Sequence, residues 1–209
     1  QFGSDIVRLW AASVDWQTEV PFSDKLFKQV TDPYRRLRNT LRILLGNING
    51  FDAATQSVSK NEMTLLDRWV LERLNVLITE CTSAYDSYQF RKVFSSVNQF
   101  CANELSALYI DITKDRMYCD AKASVRRLAA QTVMHRVFDG LCKLLAPILA
   151  FTADEAWEHA GNEGSVHEQD FPMVDSDFDT EESTAQVNGL LELRAIIQAA
   201  IEKEVQAKS

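Results

Sequence analysis

The chain has 209 residues, a formal net charge of −8, 46% apolar residues, and only 7 glycines and 4 prolines. That length supports one domain with a sizeable core, and so few turn-formers argue against a β-sandwich or a glycine-turn-rich α/β fold. No apolar run reaches the ~18 residues of a helical membrane span. The first residues, Gln1-Phe2-Gly3-Ser4-Asp5, lack the basic and apolar regions of a secretory signal, and a first residue other than Met points to a piece of a longer protein.

The chain reads as helices throughout. Residues 5–13 place Ile6, Leu9 and Trp10 on one side, and 14–22 form a connector with Pro21. Ser23 reads as an N-cap, with Phe22 and Phe27 spaced as a hydrophobic staple. The helix that follows runs to about Ile48 and is expected to bend at Pro33, which lacks an amide. Residues 49–63 are polar and aperiodic, a surface loop. Helical spacing returns over 65–86, and over 90–118 with Phe90, Val93, Phe94, Val97, Phe100, Cys101, Leu105, Leu108, Tyr109 and Ile112. A third run covers 124–145 and is broken by Pro147. A shorter helix over 152–160 is expected to be capped by Thr152, with Glu155 in the capping-box position. Residues 161–182 read as an acidic loop in which Ser165-Val166-His167 is the sole candidate for a short β piece. A last helix over 184–207 puts Leu190, Leu191, Ile196, Ile197, Ala200, Ile201 and Val205 mostly on one side. The fold class is therefore all-α, an antiparallel helical bundle with a short irregular or minor β piece late in the chain.

Signatures of catalysis are missing. No Gly-x-Gly-x-x-Gly, Gly-x4-Gly-Lys-Ser/Thr, Gly-x-Ser-x-Gly or His-Glu-x-x-His occurs. Acid pairs such as Asp111 and Asp115 fit a solvated helix face better than a catalytic dyad. Cys81, Cys101, Cys119 and Cys142 form no Cys-x-x-Cys pair and read as buried free thiols of a reducing compartment. His135, His159 and His167 are equally scattered, so neither residue type suggests a metal site.

Charge is unevenly spread. Residues 154–182 hold eleven acids and no Lys or Arg, whereas residues 1–153 hold 16 acids and 19 bases. Local charge decides where a polyanion can sit. Within the basic part, Tyr34-Arg35-Arg36-Leu37-Arg38-Asn39-Thr40-Leu41-Arg42 sits on the Pro33 helix. Leu37, Leu41, Leu44, Leu45 and Ile48 face the core, so Arg35, Arg38 and Arg42 share one outward stripe, with Arg36 and Asn39 beside it. Two readings stand: a solvated face with internal ion pairs, or a polyanion site in which guanidinium groups grip phosphates. A second basic set is Lys114 and Arg116 at the end of one helix and Arg126 and Arg127 at the start of the next.

Several stretches resemble the anticodon-binding domain of the isoleucyl-tRNA synthetases, a class I family. They are Asp32-Pro33-Tyr34-Arg35-Arg36-Leu37-Arg38-Asn39-Thr40-Leu41-Arg42-Ile43-Leu44-Leu45-Gly46-Asn47, Gly3-Ser4-Asp5-Ile6-Val7-Arg8-Leu9-Trp10, Leu66-Asp67-Arg68-Trp69, and Leu105-Ser106-Ala107-Leu108-Tyr109-Ile110-Asp111 with Lys114-Asp115-Arg116-Met117-Tyr118-Cys119. Ala130-Gln131-Thr132, Leu144-Leu145-Ala146-Pro147-Ile148-Leu149 with Phe151-Thr152-Ala153-Asp154-Glu155, and Ser165-Val166-His167 with Asp170-Phe171-Pro172 complete the set. The matches fall in family order over about residues 3–172.

The resemblance implies a tRNA-holding piece of a cytoplasmic, ATP-dependent ligase that charges tRNA with isoleucine. It implies a stem-contact region over 1–22, an anticodon-binding bundle over 23–160, and an acidic loop and C-terminal helix over 161–209. The His-Ile-Gly-His and Lys-Met-Ser-Lys-Ser signatures of the family's catalytic domain are absent, so no catalytic residue is expected here. No cofactor is expected in this piece; ATP and zinc belong to other parts of the parent. The expected partner is an isoleucine-accepting tRNA, with no membrane, for a monomer. Arg35, Arg36, Arg38, Asn39 and Arg42 are the first candidates for RNA contact, and Lys114, Arg116, Arg126 and Arg127 the second. The alternatives are a helical protein-interaction module without RNA, motivated by the net negative charge, or the equivalent domain of a valyl- or leucyl-tRNA synthetase.

Overall fold

A computed structural model describes residues 3–15, 18–19 and 23–206. Its helices are α1 (Ser4–Ser13), α2 (Asp24–Ile48), α3 (Ala53–Gln56), α4 (Leu65–Asp86), α5 (Phe90–Gln99), α6 (Asp111–Cys119), α7 (Val125–Leu145), α8 (Ala150–His159) and α9 (Glu182–Gln206). Phe100–Ile110 continues α5 into α6 with the wider turn of a π-helix. Single 3-10 turns occupy Lys60–Glu62, Val166–Glu168 and Ser176–Phe178.

The start of α2 follows from Ser23, whose hydroxyl accepts from the Leu26 amide at 3.4 Å. Phe22, the outer half of the expected staple, lies outside the described residues. Phe27 stacks instead on Trp10 of α1, with ring centroids 4.9 Å apart. The helix runs on through Pro33. Its buried stripe of Leu37, Leu41, Leu44 and Ile48 packs against α7. The Gln131 amide donating to the Asn47 carbonyl at 2.9 Å sets the antiparallel register. On its other side α7 meets α4, where Gly140 lets the Leu74 side chain come close: an added Cβ would meet it at 3.3 Å. α4 and α5 form a helical hairpin, and α9 packs on α4.

The polar stretch 49–63 is more ordered than its lack of apolar period suggests. Asp52 accepts from the Ala54 amide at 2.9 Å and from the Thr55 hydroxyl at 2.7 Å, winding α3. Ser59 and Glu62 close the next turn. Side-chain caps do here what an apolar face does for longer helices.

Two expectations about the end of the chain are corrected. Thr152 does not cap α8, which begins two residues earlier at Ala150. The Asp5 carboxylate of α1 supplies that end, accepting from the Thr152 amide at 2.7 Å, the Phe151 amide at 3.3 Å and the Thr152 hydroxyl. The late β piece is likewise absent: there is no strand among the described residues, and Val166–Glu168 is a 3-10 turn. The Ser165 hydroxyl accepts from the His167 amide at 3.2 Å, and Asp154 accepts from the Ser165 hydroxyl at 2.6 Å, which bends the backbone instead of extending it.

A buried polar cluster ties α4 to the far end of α6. Asp67 accepts from the Arg116 guanidinium at 3.0 and 3.1 Å and from the Tyr109 hydroxyl at 2.7 Å, and it caps its own helix through Thr64. Burial and the neighbouring Asp67 charge hold the Tyr109 hydroxyl well above its usual pKa. Cys81, Cys101 and Cys142 are buried as expected, and burial pushes the first two thiols up to about 12. Cys119, however, is exposed.

Candidate nucleic-acid interface

The stripe read from spacing is outward in the structure. With Leu37, Leu41 and Leu44 buried, Arg35, Arg36, Arg38, Asn39 and Arg42 are all exposed. Three of the arginines have partners within reach. Arg35 lies 3.5 Å from Asp32 in the preceding turn, Arg38 lies 3.5 Å from Glu155 of α8, and Arg36 donates to the Asn98 side chain of α5 at 3.2 Å. Arg42 forms no ion pair among the described residues. Ion pairs as long and wet as those of Arg35 and Arg38 contribute little. They leave both heads free to exchange a carboxylate for a phosphate.

Between α2 and α8 runs a groove of about 340 Å³, with Leu41, Leu45 and Ala156 among its lining, and Arg38, Asn39, Arg42, Glu155 and His159 supplying polar groups. Tyr34, one turn before Arg38, bonds to the Thr152 hydroxyl at 3.1 Å and pins α8 beside the stripe. Apolar lining with cationic groups is the arrangement that a phosphate-linked base can enter. Aspartates of the acidic segment are engaged elsewhere. Asp154 holds the Ser165 turn, and Asp175 pairs with Arg136 of α7 at 2.6 Å. Glu155 is the carboxylate among the residues lining the groove.

The second basic set does not stay together. Arg116 is turned into the core by Asp67 and drops out of the interface, because a guanidinium held on a buried carboxylate cannot also reach a phosphate. Lys114 is exposed and pairs with Asp111 at 2.7 Å, a hydrogen bond that raises its pKa. Arg126 is exposed, 3.8 Å from Asp120. Arg127 is half-buried and donates to the Asp120 carbonyl at 3.3 Å. Asn98 was not legible as a neighbour of Arg36. Its one signal is its place with Arg91 and Ser95 on one stripe of α5.

The fold is an all-helical bundle among the described residues, with an exposed arginine ridge on α2 beside the groove to α8. Among the described residues no group of three or more His, Cys, Asp or Glu is placed to hold a metal, and no helix is long and apolar enough to cross a membrane.

Residues 67–208 match the family described as the anticodon-binding domain of tRNA ligases, and the chain belongs to that family. Among curated relatives it is 41% identical over 207 residues to the isoleucine–tRNA ligase of Symbiobacterium thermophilum, covering 97% of this chain and 22% of the relative. It is 43% identical over 204 residues to the isoleucine–tRNA ligase of Listeria welshimeri, with the same coverage. The isoleucine–tRNA ligase of Methylacidiphilum infernorum is 40% identical over 99% of this chain and 23% of its own length. The chain thus spans about a fifth of these relatives. Among solved structures, the LeuRS of Agrobacterium radiobacter K84, in a ternary complex with tRNA and LeuAMS, superposes with a TM-score of 0.64. It does so over 86% of this chain and 20% of that one, at 14% identity, and so shares the fold.

Proposed function

We propose that this chain holds the anticodon arm of a tRNA and that its parent is a cytoplasmic, monomeric isoleucine–tRNA ligase, charging an isoleucine-accepting tRNA with the help of ATP. The supporting observation is the α2 ridge: Arg35, Arg38 and Arg42 are exposed along one helix face beside a groove of about 340 Å³. Guanidinium groups on a rigid helix position a phosphate backbone, and the groove accepts an unpaired base. The activity, ATP and zinc belong to the parent. This piece contributes grip and orientation, and its affinity adds to that of linked modules through effective concentration.

Titration of an isoleucine-accepting tRNA transcript against salt tests the reading. The Arg35→Glu/Arg38→Glu/Arg42→Glu variant is expected to lose most affinity, and its salt slope should fall by about 2 to 3, at roughly 0.7–0.9 per phosphate contact. Unchanged binding removes the ridge from the interface. A protein-interaction role is the competing reading, favoured by the exposed apolar side of α9 (Leu190, Leu193, Ile196, Ile201). It predicts no tRNA-dependent mobility shift of the wild-type chain at low salt.

A further inference from the structure

The turn between α4 and α5 carries a strained residue in an unusual place. Tyr88 has φ of 57°, the left-handed region, and among the described residues it is the one non-glycine there. The Gln89 amide reaches the Ala84 carbonyl at 2.7 Å and the Tyr88 amide reaches the Tyr85 carbonyl at 3.0 Å, a helix stop whose left-handed position is usually glycine. Here it holds an aromatic ring that is 68% exposed.

That ring ends a series of edge-on contacts. Phe171 meets Tyr85 at 5.6 Å, Tyr85 meets Phe90 at 6.1 Å, and Phe90 meets Tyr88 at 6.2 Å. On one side of Tyr88 opens a cavity of about 750 Å³ lined by Arg8, Tyr85, Phe90 and Ile148 among others. On the other, a groove of about 490 Å³ carries Arg91 and Lys92, with Asp15 as its acid. Both cations are exposed, and neither forms an ion pair among the described residues. Arg91, Ser95 and Asn98 then follow one stripe of α5 over about 10 Å. Asn98 accepts from Arg36, so this corner is joined by a polar track to the α2 ridge.

We propose that Tyr88, Arg91 and Lys92 form a second RNA-binding site, in which the Tyr88 ring stacks on an unpaired nucleotide base and the two cations hold its flanking phosphates. The strand continues past Ser95 and Asn98 to Arg36. Charge complementarity selects this occupant. Aromatic rings beside exposed cations fit a phosphate-linked base, whereas an apolar peptide would desolvate the cations without answering their charge. The inference rests on the RNA-binding reading above.

Variants of the full 209-residue chain, titrated with the same tRNA transcript, test it. Tyr88→Gly removes the ring and relaxes the backbone. It should melt at or above the wild-type temperature while binding about 5- to 150-fold more weakly, with the salt slope unchanged. Tyr88→Asn, which also tolerates the left-handed region, should behave likewise, and Tyr88→Phe should retain affinity. Arg91→Ala/Lys92→Ala should lower the slope by about 1.4 to 1.8. Wild-type affinity in Tyr88→Gly and Tyr88→Asn overturns the proposal. If the triple glutamate variant still loses binding in that case, the second site alone falls. If the wild-type chain gives no tRNA-dependent shift at low salt, both readings fall.

Discussion

Arg38 and Arg116 have the same side chain and opposite fates. Arg38 meets Glu155 at 3.5 Å with both groups more than half exposed, so its charge stays available to solvent. Glu155→Gln removes the competing carboxylate and is expected to tighten tRNA binding about 1.5- to 5-fold at low salt, an effect that fades as salt rises. A weakening would mean that Glu155 itself accepts from a base. Arg116 is bonded to a carboxylate that is wholly buried. Arg116→Ala leaves Asp67 without its cation and should cost about 3–5 kcal/mol of stability, as read by urea denaturation. Arg116→Met/Asp67→Leu should not recover that loss, because the buried Tyr109 hydroxyl and the Thr64 amide then lose their acceptor. This difference was not legible in the sequence, where Arg116 sits beside Lys114 in a basic run and its partner lies 49 residues earlier. The α2 arginines were legible because Leu37, Leu41 and Leu44 fix the phase of their helix.

Two helices in this bundle are started by carboxylates from elsewhere in the chain. Asp5 of α1 caps α8, and Glu72 of α4 caps α9 by accepting from the Ser183 amide at 3.2 Å and the Thr184 amide at 2.8 Å. Burial alone would raise both carboxyl pKa values. Hydrogen bonds outweigh it: from the Thr152 hydroxyl, Arg8 and two amides at Asp5, and from Thr184 and Ser183 at Glu72. Both carboxyls therefore lie below their ordinary values of 3.8 and 4.5. A lowered folded-state value contributes stability that is present above the unfolded value and lost as pH falls through the folded one. The wild-type melting temperature should therefore drop steeply below about pH 4, and Asp5→Asn/Glu72→Gln should be less stable at pH 7 with a shallower acid limb. Sequence periodicity located these helices but not their caps. Thr152 has the chemistry of an N-cap, and only packing reveals that Asp5 arrives to serve instead.

Across the whole molecule, apolar pattern and burial part company in two places. In α9, Val187 is buried and Leu191 half-buried on α4, yet Ile197 and Ile201 are 50% and 57% exposed. An apolar stripe reads the same whether or not anything covers it. Ile197→Ser and Ile201→Ser should each shift stability by less than about 0.5 kcal/mol, against roughly 1–3 for Val187→Ser, as read by chemical denaturation. In the long helix the mismatch has a geometric cause. Ile112 was expected inside and is exposed, while Thr113, Arg116 and Met117 are buried. The wide turns over Phe100–Ile110 add residues to each turn and move the inward face along by about one position. The winding of that stretch thus aims everything beyond it. Deleting a single residue between Phe100 and Ile110 would rotate α6 by about 100°, swing Arg116 off its carboxylate and carry Lys114 and Tyr118 to a new face. The chain should therefore tolerate a side-chain change in this stretch far better than the loss of one peptide unit.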